Sequence, residues 1–238
     1  MFASPHALLI AVDIGNSRVK LGLFSNVDRS GLPRPAQTLA VDGWNGDQVE
    51  AWLRSATFDG RTLDANTAIV WRVSSVNRPV TAQVREWLSG RPAWSCELMV
   101  AEQLPLAVQV ERPDRVGMDR LANAIGVNRI RASHRPAIVI DLGSAITVDL
   151  ISATGAFMGG AILPGIAMSA RALHDFTDLL PLIPMSELGE PPAALGAATI
   201  PAMRSGLYWG AVGAMRELIA RLGAGLPTPQ VYLTGGAA

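Results

Sequence analysis

Apolar and polar positions along this chain follow two rhythms. Residues 7–12 form an unbroken apolar run of strand length that ends at Asp13. The next residues, Asp13-Ile14-Gly15-Asn16-Ser17, are rich in turn formers. Val19, Leu21 and Leu23 then alternate with Lys20, Gly22 and Phe24, which predicts a second strand. Strand, tight turn and strand predict a hairpin with Gly15 and Asn16 at its tip. Residues 25–46 carry Gly31, Pro33, Pro35, Gly43 and Gly46 and read as loop or sheet edge. Val49, Trp52 and Leu53 recur at helical spacing within 47–56, and 67–73 reads as a strand. A helix is predicted over 79–88, with Pro79 in the first turn, where its missing N–H does no harm. A strand is predicted around 98–100 and a helix over 119–131.

The second half restarts the first. Residues 137–142 are an apolar strand, Asp141-Leu142-Gly143-Ser144 a turn, and 146–151 a second strand. The two turns share an Asp, an aliphatic residue, a Gly and a small polar residue in order, 128 residues apart from Asp13 to Asp141. The same hairpin at the start of each half predicts an internal duplication. The short link at 133–136 divides the halves, 1–133 and 134–238. Beyond it the pattern predicts a strand over 157–163, a helix over 166–176 and a Pro-rich loop over 181–192. A long helix over 199–222 and a last short strand over 231–233 follow, leading into Thr234-Gly235-Gly236. Gly206, Gly210 and Gly213 share one flank of the long helix. Each interior Gly costs about 1 kcal/mol relative to Ala, so the pattern predicts close packing of another backbone there.

Composition narrows the function. Of 238 residues, 49% are hydrophobic and 17% charged, enough apolar material for a large core. The 20 basic and 20 acidic side chains cancel, which argues against general attraction to nucleic acid or to an anionic membrane. All basic residues but Lys20 are Arg, which reflects genomic base composition. The single Cys96 excludes an internal disulfide and a multi-cysteine metal site and fits a reducing compartment. The N-terminal apolar run is short and lacks the basic flank of a signal peptide. The most membrane-like stretch, 137–170, holds Asp141, Asp149 and Pro164, and mid-bilayer Asp costs about 2.5–3.5 kcal/mol. A cytoplasmic protein is expected.

The two Asp-x-Gly turns are the main chemical clue. Each is either an ordinary hairpin turn or a phosphate turn. Gly lets a phosphate approach backbone N–H groups closely. Asp cannot touch a triphosphate directly, but it can hold a cation or its water. Gly117-Met118-Asp119-Arg120 opens the predicted helix over 119–131. Asp119 there is either an N-cap or a general base beside an Arg able to bind a carboxylate. His6, His134 and His174 show no metal-ligand spacing. The common phosphate-loop and Rossmann glycine patterns are absent.

In order, Asp13-Ile-Gly-Asn-Ser17, Gly117-Met-Asp-Arg120, Asp141-Leu-Gly-Ser-Ala-Ile-Thr147, Gly159-Gly-Ala-Ile-Leu-Pro-Gly165 and Thr234-Gly-Gly236 resemble the type III pantothenate kinase family across nearly the whole chain. The resemblance implies a duplicated actin-like, ribonuclease H-like α/β ATPase fold, with two related halves around a nucleotide cleft. It implies ATP-dependent phosphorylation of pantothenate, the first step of coenzyme A biosynthesis, in a homodimer.

The resemblance also assigns residues. Asp13, Ile14, Gly15, Asn16, Ser17, Arg18, Val19 and Lys20 would contact ATP, as would Ser144, Gly235 and Gly236. Gly117, Met118, Asp119, Arg120 and Thr199 would hold pantothenate, with Asp119 as the base that takes the hydroxyl proton. Asp141 would bind a monovalent cation, potassium or ammonium, and Mg²⁺ would accompany ATP. Val110 stands where many members place a substrate-side Tyr, and Ser144 where a Thr is usual. Members usually continue past Thr-Gly-Gly with a further helix and strand, so this chain is expected to lack them. Two alternatives remain: a non-catalytic accessory relative, or a sugar or polyphosphate enzyme on the same fold.

Overall fold

The structure is a computed structural model, and it describes residues 8–24, 32–58, 61–63 and 67–236. His6 lies outside the described residues, as does the 25–31 part of the predicted loop. Contacts divide the chain into two compact units: Met1–Pro105 with Arg112–Ile130, and Leu106–Glu111 with Arg131–Ala238.

In the first unit, β1 (Leu8–Ile14) and β2 (Arg18–Phe24) form the expected hairpin, and β3 (Gln37–Asp42) pairs antiparallel along β2. Helix α1 (Gly46–Ser55) begins at Asn45, whose side chain accepts the N–H of Gln48 at 3.0 Å. A two-residue ladder, β4 (Thr57–Phe58) with β5 (Arg61–Thr62), precedes β6 (Ile69–Ser75). Asn77 caps α2 (Arg78–Ser89) in the same way as Asn45 caps α1, with Pro79 in the first turn. Strand β7 (Trp94–Leu98) completes a sheet of order β3-β2-β1-β6-β7, in which β1, β6 and β7 run parallel. Helix α3 (Met118–Ile130) lies against β6.

Alternation decides the core. Ile10, Val12, Ile14, Val19, Leu21 and Leu23 point inward from the hairpin, while their neighbours face out. Fully buried Trp71 meets Trp87 and Trp94 on the helix-covered face. The Arg91 guanidinium stacks 3.7 Å over the Trp87 ring and pairs with Glu50 at 2.9 Å.

In the second unit, β8 (Ala137–Leu142), β9 (Ala145–Ile151), β10 (Phe157–Pro164) and β11 (Gln230–Thr234) form a sheet of order β10-β9-β8-β11. Only β8 and β11 are parallel neighbours. Helix α4 (Ile166–Asp175) follows β10, and the long α5 (Thr199–Gly223) packs Met215, Leu218, Ile219 and Leu222 on the sheet core. The segment Leu106–Glu111 joins the β10 edge through Gln109 N–H to Phe157 O and Phe157 N–H to Ala107 O, both 2.8 Å.

Two expectations are corrected. The strand expected around 98–100 lies earlier, at Trp94–Leu98. Its parallel register on β6, Ile69 to Trp94 through Val73 to Leu98, sets its position. As an edge strand with four exposed residues it has no alternation to reveal it. The glycine flank of α5 also differs. A Cβ at Gly206, Gly210 or Gly213 would meet nothing within 4 Å, so among the described residues no other backbone packs there. The opposite, apolar stripe of the helix carries its burial.

Candidate active site

Strands β1, β6 and β7 are parallel, so their carboxyl ends share one edge of the first sheet. In open α/β sheets that edge is where ligands bind. Asp13 sits near the end of β1, opposite Lys20 on β2 and Ser74 on β6. The turn closes with the Gly15 N–H on Arg18 O at 3.0 Å. Asn16, Ser17, Arg18 and Lys20 are exposed. Ile14 and Val19 are core residues, so only their backbone is available to a ligand. Arg18 lies 3.5 Å from Asp42, a surface ion pair of little energetic weight.

Next to this edge, Val76 donates its N–H to Ile14 O at 3.0 Å. The Val76 side chain lies against Gly117: a Cβ there would be 3.7 Å from Val76 Cγ1. Gly117 is the residue before α3, and its carbonyl accepts the N–H of Arg120 at 3.1 Å and of Leu121 at 3.3 Å. Asp119 is therefore the second residue of the helix, inside its first turn rather than at the N-cap. Its Oδ1 accepts the Arg120 N–H at 2.8 Å. The helix end thus holds the carboxylate through Oδ1. Met118 is buried; Asp119 and Arg120 are half-buried. A cavity of about 410 Å³ adjoins the motif, reaching Ser75, Val76, Met99, Val116 and Met118. That volume suits a small-molecule site.

The second unit repeats the carboxylate edge. Asp141 lies opposite Thr147 on β9 and Thr234 on β11. Gly143 N–H closes the turn on Ala145 O at 3.1 Å. Ser144 is half-buried, and its carbonyl accepts the N–H of Gly165 at 3.1 Å. Two glycines fit this turn for steric reasons. A Cβ at Gly165 would collide with the Gly143 and Ser144 carbonyls. Gly235 has φ +108°, and a Cβ there would collide with the backbone of Leu142. Gly236 faces open space. Thr199 is exposed at the first position of α5. Val110 belongs to this unit, with its Cγ1 3.3 Å from where a Cβ on Gly159 would lie.

Among the described residues, no group of three His, Cys, Asp or Glu is placed to hold a metal ion. Cys96 is exposed on β7, outside this edge, and partial burial pushes its thiol pKa up.

Sequence reasoning missed Ser74, Ser75 and Val76, which lie just past the strand expected over 67–73. Register brings them beside Asp13, and no motif marked them. Asp149, which counted in the sequence only against a membrane span, is 1% exposed on β9 opposite Gly160. An Asp inside an otherwise apolar strand was the available signal.

Residues 9–221 match the family model described as type III pantothenate kinase. The type III pantothenate kinase of Rhodospirillum rubrum is 34% identical over 237 residues, covering 97% of this chain and 88% of that protein. That of Paramagnetospirillum magneticum is also 34% identical, over 238 residues, covering 97% and 86%. Among solved structures, the ethanolamine utilization protein EutJ of Carboxydothermus hydrogenoformans superposes with a TM-score of 0.51 at 15% identity, covering 99% of this chain and 79% of that one. This likeness bears on fold alone, and the fold is the duplicated actin-like α/β fold implied by the motifs. By the family match over 9–221 and by its relatives, the chain belongs to the type III pantothenate kinase family.

Proposed function

We infer that this chain carries out its family's reaction, transfer of the γ-phosphoryl group of ATP to pantothenate at the entry to coenzyme A biosynthesis. The family match across 9–221 carries this reading. The relatives described above are pantothenate kinases, which favours it over an accessory relative or a sugar or polyphosphate enzyme.

The halves 1–133 and 134–238 each supply one phosphate turn in this reading. Backbone N–H groups and polar side chains of 13–20 bind ATP, with Ser144, Gly235 and Gly236 contributing from the later turn. Gly117, Met118, Arg120, Thr199 and Val110 shape the acceptor site, and Arg120 offers a bidentate fork to a carboxylate. Asp119 takes the proton from the primary hydroxyl as the hydroxyl oxygen bonds to the γ-phosphorus. The bond from that phosphorus to the β–γ bridging oxygen breaks, and ADP leaves. Asp141, flanked by Thr147 and Thr234, holds a potassium or ammonium ion. Mg²⁺ bound with ATP offsets charge on the phosphates.

A homodimer is part of the reading. The second unit exposes Phe176 (86%), Leu179 (85%) and Leu195 (86%), large apolar side chains that a partner surface would cover. A cytoplasmic site of action suits the substrates. Among the described residues no helix is long and apolar enough to cross a membrane.

The deciding experiment is ADP release with pantothenate, ATP, Mg²⁺ and potassium. Asp119→Asn is expected to lower kcat by about 10²–10⁴-fold, the usual worth of a general base, with Tm little changed. Wild-type turnover matched by Asp119→Asn would remove the role given to that residue.

A further inference from the structure

The cavity beside Gly117 carries a charge that the reaction above does not use. Its walls are more apolar than polar, and two acidic residues stand among them, Glu102 and Asp114. The two are compensated differently. Arg112 grips Asp114 with both prongs, Nε to Oδ1 at 3.0 Å and Nη2 to Oδ2 at 2.8 Å. That guanidinium holds the Asp114 carboxyl below the usual carboxylate range. Seen from the cavity, the pair is close to neutral. Glu102 stands in the 3-10 turn Ala101–Gln103 and is exposed, and among the described residues no ion pair or hydrogen bond engages its side chain. Its full negative charge therefore sits at the edge of the cavity.

We propose that Glu102 discriminates by charge in the acceptor site, keeping the anionic end of an acceptor out of this cavity so that only an uncharged part enters it. The proposal rests on the pantothenate kinase reading and adds an orientation to it. Pantothenate has an alcohol at one end and a carboxylate at the other. With the alcohol at Asp119, the carboxylate either enters the cavity towards Glu102 or turns away from it. Like charges a few ångströms apart repel, and at an exposed carboxylate salt screens the repulsion. Val76, Met99, Val116 and Met118 make most of those walls, and the Ser75 hydroxyl beside them is already engaged by Asn77 O and Thr81 Oγ1. The acidic end turns away.

The test compares kcat/KM for pantothenate with that for its neutral analogue, in which a hydroxymethyl group replaces the carboxylate. Where the analogue is bound but not turned over, calorimetric affinities give the same ratio. Glu102→Gln is expected to raise the value for pantothenate by about three- to ten-fold and leave the analogue unchanged within about two-fold. The gain should shrink as salt rises from about 20 mM to about 500 mM, because screening shortens the reach of the charge. Arg112→Ala exposes the charge of Asp114 and should move the ratio the other way. Glu97→Gln, ion-paired with Arg72 at 3.1 Å on β7, is the control and should leave the ratio alone. An acid-to-neutral ratio that is the same in wild type, Glu102→Gln and Arg112→Ala overturns the proposal, as does an equal shift in Glu97→Gln. Wild-type protein that neither binds nor phosphorylates either compound would instead remove the kinase reading, and the proposal with it.

Discussion

The hairpins at Asp13 and Asp141 are built on one plan and finished in different ways. In each, the Asp stands on a central strand between an antiparallel neighbour and a parallel one. Its register partners are Lys20 and Ser74 in the first hairpin, Thr147 and Thr234 in the second. In each, the turn glycine closes the loop through its N–H, onto Arg18 O or Ala145 O. The finish differs beyond that point. Four residues, 15–18, connect the paired Ile14 and Val19, but only three, 143–145, connect Leu142 and Ile146. The first tip stands open to solvent, whereas Gly165 and Gly235 press against the second. After Ser74 the chain turns into a capped helix; after Thr234 it enters Gly235-Gly236. The first turn is thus less hemmed in by its neighbours than the second.

The largest expected effect breaks this contrast directly. Gly235→Ala adds a methyl group against the Leu142 backbone at a φ of +108° that other residues rarely adopt. The loss of stability should be about 2 kcal/mol or more, read as a fall in the thermal midpoint of several degrees. Gly15→Ala places its methyl 3.2 Å from Arg18 O, without a positive φ. A small local shift relieves that contact, so the loss should stay below about 1 kcal/mol. Equal losses at the two sites would mean that the second turn is no more constrained than the first.

A smaller effect sharpens the chemistry. If Asp141 holds the monovalent cation, Asp141→Asn should raise the potassium concentration for half-maximal activity by about ten-fold, roughly the loss of one charge-assisted contact. Asp13→Asn should leave that concentration within about two-fold and act on ATP affinity instead. An unmoved potassium response in Asp141→Asn would take the cation away from that carboxylate.

The same contrast explains what the sequence could disclose. Both hairpins were legible, because alternation and turn formers are local and Asp13 and Asp141 each end an apolar strand. Helices α1 and α2 were legible through spacing and through Pro79. What was not legible depends on neighbours far along the chain. Ser74 matters because parallel pairing sets it beside Asp13, more than 60 residues away. Strand β7 takes its position from β6, and its own residues gave no pattern. Segment 106–111 joins the edge of β10 through two backbone bonds that no side chain announces. The glycines of α5 misled because a small-residue stripe looks alike whether or not another backbone covers it. Asp119 was placed at a helix start from sequence, but only the bonds to Gly117 O separate first turn from cap.

The smallest effect concerns the open tip. Arg18 and Asp42 lie 3.5 Å apart with 61% and 92% of their side-chain surface exposed, so water screens them almost fully. Asp42→Asn should shift the thermal midpoint by no more than about 2 °C. If Arg18 serves the ATP phosphates, removing its competitor should still tighten ATP binding slightly, by about two-fold at low salt and by less as salt rises. Arg18→Ala should then weaken binding, again with little change in stability. The pair separates the two uses a surface arginine can have. A change in stability without a change in affinity makes Arg18 a strap along the sheet edge between β2 and β3. A change in affinity without a change in stability makes it part of the open turn.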